Sequence, residues 1–105
     1  MRFLILGPLT VICGDRTIPL AGRRQRTVLA VLLANAGHVV PVEYLVDAVW
    51  HEDPPATARR QIQNEISALR RAFSGAGGQD VTPIVRDGQG YRISPRPGEL
   101  DAQVF

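Results

Sequence analysis

The sequence contains no lysine; all twelve of its basic residues are arginine. A GC-rich genome would give the same bias, so where the arginines stand says more than how many there are. Cysteine is nearly absent too. The single Cys13 excludes an internal disulfide and a cysteine-based metal cluster, and its setting, Val11-Ile12-Cys13, reads as a small hydrophobe in a strand. No apolar run approaches the roughly 18 residues that a membrane-spanning helix requires. The N-terminal stretch RFLILGPLTV is short, is broken by Gly7-Pro8, and lacks the small-residue cleavage site of a signal peptide. A cytoplasmic protein is the expectation. Histidine is scarce: His38 and His51 stand apart, with no cysteine or carboxylate at metal-ligand spacing on a shared helix face. There is no nucleophile-elbow motif and no P-loop. Gly88-Gln89-Gly90 is followed by no helix signal, so it reads as a turn. No catalytic residue, metal or cofactor is expected.

What remains is a chain of 105 residues, 45% hydrophobic and 21% charged, the size and composition of one globular domain. Residues 2–6, 9–13 and 17–20 are short apolar runs separated by Gly7-Pro8 and Gly14-Asp15-Arg16. They predict a small antiparallel sheet, with Pro19 at an edge or strand end. A helix is expected from Gly22 to about Ala36. Its apolar positions (Val28, Leu29, Val31, Leu32, Leu33) cover more than one face, as in a central helix, and Gly37 stands as a C′ glycine. Its first turn holds Arg23, Arg24 and Arg26, the wrong sign for the helix dipole. Phosphate is one partner that would favour them; plain solvation is the other reading. His38 to Pro41 is a short extended link, and Val42 to Trp50 a second helix that Pro41 helps to start. Val42, Leu45, Val46, Val49 and Trp50 are expected inward.

After a rigid acidic turn, His51 to Pro55, with Asp53 or Thr57 as cap, the segment Thr57 to Phe73 reads as a two-faced helix. At about 100° per residue, Ile62, Ile66, Leu69 and Phe73 fall on one side, and Arg60, Asn64, Ser67 and Arg71 on the other. The segment sets four arginines against one glutamate, in a chain of net charge +2. An ordinary solvated amphipathic surface helix is one reading of such a segment; the other is that an arginine-rich face with an amide between the guanidinium groups suits the major groove of DNA. Arginine reaches guanine and phosphate there, and Asn or Gln reaches adenine. Ser74 to Asp80 reads as a loop. Pro83 to Ile93 reads as a β-hairpin turning at Asp87 to Gly90, with Tyr91 packed on the core. Residues 94–99 look like a linker, and Leu100 to Phe105 like the start of a further apolar pattern, so the chain reads as the front of a longer protein.

A sheet, three helices and a hairpin, with the last two helices joined by a short turn, make a winged helix-turn-helix of the α+β class. The second helix of the pair would enter the major groove, and Arg86, rather than Arg92, would reach DNA from the wing.

Six segments together carry a family resemblance: Gly7-Pro8-Leu9, Arg23 to Arg26, Val46 to Trp50, Asp53 to Arg60, Ser67 to Arg71, and Gly90-Tyr91-Arg92. Taken in order they cover nearly the whole chain, which resembles the SARP family, the Streptomyces antibiotic regulatory proteins and their AfsR-like relatives. The resemblance implies an OmpR/PhoB-type winged helix over residues 1–94, with a linker and the first residues of a bacterial transcriptional activation domain over 95–105. It implies an activator of secondary-metabolite (antibiotic) gene clusters, acting at the bacterial nucleoid. Such a protein binds direct repeats in promoter DNA as a head-to-tail pair and recruits RNA polymerase holoenzyme.

Carried over by position, the DNA-contacting residues are Thr57, Arg60, Gln63, Asn64, Ser67, Arg70 and Arg71 on the third helix and Arg86 on the wing. Arg23 and Arg24 are candidates for the DNA backbone. His51, Glu52 and Asp53, in the loop His51 to Ala56, are candidates to face polymerase. The sequence departs from the family where Pro41 replaces a small polar cap. It departs again at Gln63-Asn64-Glu65, so base preference does not transfer, and Glu65 would repel phosphate if it pointed outward. The OmpR-type relatives carry a phosphorylated receiver domain before this module; the sequence starts directly at the first strand, so control by phosphorylation is not expected from it. The competing reading is a winged helix used for protein contacts alone. It would call for apolar or mixed residues where Arg60, Asn64, Ser67 and Arg71 stand.

Overall fold

Valine and leucine at helical spacing set the centre of the molecule. The structure, a computed structural model, describes residues 2–5, 8–13, 16–77 and 84–94. Helix α1 (Gly22–Ala34) buries Val28, Leu29, Leu32 and Leu33, a stripe broad enough to meet two other helices. It packs on α2 (Val42–Trp50) and α3 (Ala58–Gly77), which also pack on each other. One polar side chain is buried with this stripe. Gln25 is 2% exposed, and its Oε1 accepts the Ala21 N–H at 2.6 Å, serving one of the donors a helix start leaves free. The helix stops two residues short of the expected Ala36. Asn35 is the C-cap, so Gly37, at φ +84°, stands one position beyond C′. There it donates its N–H to the Ile93 carbonyl at 2.8 Å.

The first sheet is antiparallel as expected, a meander of β1 (Arg2–Leu4), β2 (Thr10–Cys13) and β3 (Arg16–Ile18); β3 takes in Arg16, read as a turn residue, and ends before Pro19. Its register sets Phe3 opposite Val11 and Val11 opposite Ile18, so three buried side chains share one face. The expected turn residues Gly7, Gly14 and Asp15 lie outside the described residues. The sheet is anchored to α3 by an edge-to-face contact between Phe3 and Phe73.

The second sheet has one strand more than expected. Residues Val40–Pro41, read as a link, form β4, which pairs with β6 (Gly90–Ile93); β6 in turn pairs with β5 (Ile84–Asp87). Pro41 closes this strand and is also the N-cap of α2, with φ −61° and ψ 148°. Gly90 makes the pairing possible. A Cβ there would lie 2.4 Å from the Val40 carbonyl oxygen and 2.8 Å from its carbon, so only glycine admits the neighbouring backbone.

Helix α2 occupies the expected residues and buries Val42, Leu45 and Val46. Val49 and Trp50 are half-buried and pack against the core rather than within it. Helix α3 is longer than expected. It runs on through Ser74 to Gly77, a stretch the sequence places in a loop; residues 78–80 of that expected loop lie outside the described residues, as do residues 95–105. The α+β architecture is as expected from the sequence.

Candidate nucleic-acid interface

The site is built on α3. Its inner stripe, Ala58, Ile62, Ile66, Leu69 and Phe73, is buried, each residue 5% exposed or less. That burial fixes the rotation of the helix, and therefore which side chains must face solvent. Arg60, Gln63, Asn64, Ser67 and Arg71 are all exposed on the outer side. Thr57 stands immediately before the helix, exposed, and its carbonyl accepts the Gln61 N–H at 2.9 Å, the bond that defines an N-cap position. Glu65 is half-buried. At 100° per residue it lies roughly 60° from the buried stripe and well away from Arg60 and Arg71, so it is not on the outward face where it would oppose phosphate.

Arg70 differs from its neighbours. It is half-buried, and its Nε–H donates to the Ile84 carbonyl at 3.2 Å, which ties α3 to the first wing strand. The wing itself is a two-residue hairpin. Gly88, at φ +61°, is the first central residue, where a type II′ turn requires positive φ. The turn is not free-standing, because the Gln89 carbonyl accepts the Val42 N–H at 3.0 Å at the start of α2. Arg86 is exposed and lies opposite Tyr91 in the register, one pair behind the turn rather than at its tip. By strand alternation it shares the pleat face of buried Ile84 and Tyr91, the face turned toward the helices. Arg92 lies on the other face, half-buried, with its Nη1 3.7 Å from the Asp87 carboxylate.

At the other end of the helix pair, Arg23 is exposed on the first turn of α1. Arg24 is committed within the protein: its Nη1 donates to Gln61 Oε1 on α3, and its guanidinium lies 5.2 Å from the centroid of Trp50 at the end of α2. His51, Glu52 and Asp53 are exposed in the turn before α3, and His51 and Asp53 hold left-handed backbone at φ 59° and 52°.

Three participants carried no assignment from the sequence. Gln61 accepts from Arg24 and donates its Nε2–H to Thr57 Oγ1 at 2.9 Å. Its spacing of four from Thr57 was the available signal. Arg59, counted only as charge, pairs with Glu43 across α2 and α3. Gly90, read only as a turn residue, admits β4. Among the described residues no three His, Cys, Asp or Glu side chains cluster as metal ligands, and no helix is long and apolar enough to cross a membrane.

Residues 15–93 match the family described as transcriptional regulatory protein, C terminal. The chain is 40% identical over 93 residues to the transcriptional regulatory protein MoaR1 of Mycobacterium tuberculosis, covering 89% of this chain and 30% of that protein. It is 34% identical over 101 residues to the regulatory protein AfsR of Streptomyces griseus, covering 96% of this chain and 10% of AfsR. Among solved structures, Mycobacterium tuberculosis EmbR, determined with a low-affinity phosphopeptide, superposes with a TM-score of 0.90 at 35% identity. The match covers 97% of this chain and 27% of EmbR. The chain thus spans less than a third of each of these relatives; MoaR1 and EmbR are named transcriptional regulatory proteins and AfsR a regulatory protein. The chain belongs to the transcriptional regulatory protein C-terminal family, as an OmpR/PhoB-type winged helix of the SARP and AfsR-like regulators.

Proposed function

We propose that this chain is the promoter-reading part of a transcriptional activator of secondary-metabolite genes, binding direct repeats as a head-to-tail pair. The observation that carries the reading is the division of α3. A fully buried stripe from Ala58 to Phe73 forces Arg60, Asn64, Ser67 and Arg71 outward together. A surface of guanidinium forks, an amide and a hydroxyl matches base edges and phosphates, and offers no apolar patch for a protein partner. Arg60, Gln63, Asn64 and Ser67 are assigned to base edges, with Thr57, Arg70 and Arg71 at the strand backbone. Arg86 extends the contact from the wing, and Arg23 adds a further phosphate contact from α1. Arg24 lies beside this end of the interface but is already held by Trp50 and Gln61.

Recruitment of RNA polymerase is assigned to the exposed turn His51-Glu52-Asp53. Left-handed backbone at two non-glycine positions costs free energy, and a functional contact is one reason to retain it. Action at the bacterial nucleoid, in the cytoplasm, follows from the same reading.

The test is a gel-shift titration of the chain at several salt concentrations. The probes are the promoter beside its own gene cluster and a scrambled duplex of equal length. Tight binding to the promoter, a steep salt dependence and two successive bands are expected. Equal weak binding to both duplexes would reduce the site to a basic surface, and no binding at low salt would overturn the reading.

A further inference from the structure

We infer that Arg24 is a positioning residue for the recognition helix, acting through Gln61 to fix how α3 presents its first two turns. The inference rests on the DNA-binding reading above and adds a determinant of specificity that itself touches no base. The connection between α2 and α3, residues 51–57, is exposed throughout. No buried side chain from that connection sets where α3 begins; the first apolar anchor is Ala58. The Arg59–Glu43 ion pair ties the start of α3 to α2, and a polar relay ties it to both other helices. Trp50 ends α2 and gives its ring face to the Arg24 guanidinium at 5.2 Å. Arg24, on the first turn of α1, donates to Gln61 Oε1. Gln61 passes the contact on, donating Nε2–H to Thr57 Oγ1 and its backbone N–H to the Thr57 carbonyl, each at 2.9 Å.

The relay lies on the flank of α3 beside the outward face. At about 100° per residue, Gln61 and Thr57 fall next to Asn64. Rotation or sliding of this end would therefore move Arg60 and Asn64 off their base edges while leaving their charges in place. Arginine suits the role because its planar fork can stack on an aromatic face and donate in its own plane at once; a lysine ammonium cannot do both. Arg24 is exposed and Gln61 is neutral, so the guanidinium keeps its charge; its bond to Gln61 is what fixes geometry, and the salt slope separates that role from neutralising phosphate.

The experiment uses the 105-residue chain with Arg24→Ala, Arg24→Lys, Gln61→Ala and the double variant Arg24→Ala/Gln61→Ala. A duplex enriched by the wild-type chain from a random-sequence pool, and its scrambled counterpart, serve as probes. Amide hydrogen exchange across residues 58–64 is followed without DNA. Each single variant is expected to speed that exchange. Each should also lower the ratio of specific to scrambled affinity by roughly tenfold, with the double variant no worse than either single one and the salt slope unchanged. Arg24→Lys, which keeps the charge, is expected to behave as Arg24→Ala. Wild-type exchange in Arg24→Ala would overturn the inference. So would a salt slope lowered by about one on both duplexes at an unchanged ratio, or full recovery by Arg24→Lys. If the wild-type chain enriches no sequence, the DNA reading fails separately, and the exchange measurement still decides whether Arg24 fixes the helix.

Discussion

The Nε–H of Arg70 donates to the Ile84 carbonyl at 3.2 Å. This bond joins α3 to the edge strand of the wing. Arg70→Ala removes it, and a net loss of about 1 kcal/mol in stability is expected, read as a lower urea midpoint. Faster amide exchange in β5, with α1 unchanged, would place the effect at the wing. Uniform loosening of the whole domain would contradict a local tether.

Gly90→Ala would set a methyl carbon 2.4 Å from the Val40 carbonyl oxygen. Backbone rather than a movable side chain is the obstacle, so β4 must separate from β6. A loss of about 3 kcal/mol is expected, at the upper end of overpacking costs. Chemical denaturation measures it, and an unchanged midpoint would show that the two strands are not this close.

The edge-to-face pair of Phe3 and Phe73, with centroids 5.9 Å apart and planes at 72°, holds the N-terminal sheet against α3. Either ring truncated to alanine should cost about 3–5 kcal/mol, a large share of a small domain's stability. Because that risks unfolding, Phe3→Leu and Phe73→Leu in a double-mutant cycle give the finer test. A coupling of about 0.5–1.5 kcal/mol is expected.

The ion pair of Arg59 with Glu43 has both side chains more than half exposed, at 60% and 59%. Such pairs contribute little to stability, so Glu43→Gln should leave the melting temperature nearly unchanged. The substitution also removes a negative charge beside α3 and frees Arg59. Tighter binding to any duplex and a salt slope steeper by up to about one are therefore expected. An unchanged slope would place Arg59 out of reach of DNA.

Much of the fold was legible because its signals are local. Val42 to Trp50 and the two faces of α3 follow from apolar spacing along a continuous segment. The hairpin follows from a Gly-x-Gly turn between β-forming runs. The features that escaped depend on other parts of the chain. β4 is only two residues long and exists because Val40 finds Tyr91, about fifty positions later. The last turn of α3 runs through Ser74-Gly75-Ala76-Gly77 against the low helix propensity of glycine, so composition alone reads it as loop. The candidate site divides the same way. Exposure of Arg60, Asn64, Ser67 and Arg71 follows from burial of their opposite numbers. The commitment of Arg24 to Trp50 and Gln61 requires three helices to be in place before it can be seen.

The outer face of α3 is the surface proposed to meet DNA. Its most direct test is the salt dependence of duplex affinity for Arg60→Ala and Arg71→Ala, with circular dichroism confirming that each variant stays folded. Each arginine that neutralises a phosphate should lower the slope by about one when removed. One that reads a base should instead cost about 1–3 kcal/mol and relax preference at a single position. Affinity, slope and sequence preference all unchanged in both folded variants would mean that this face does not bind DNA.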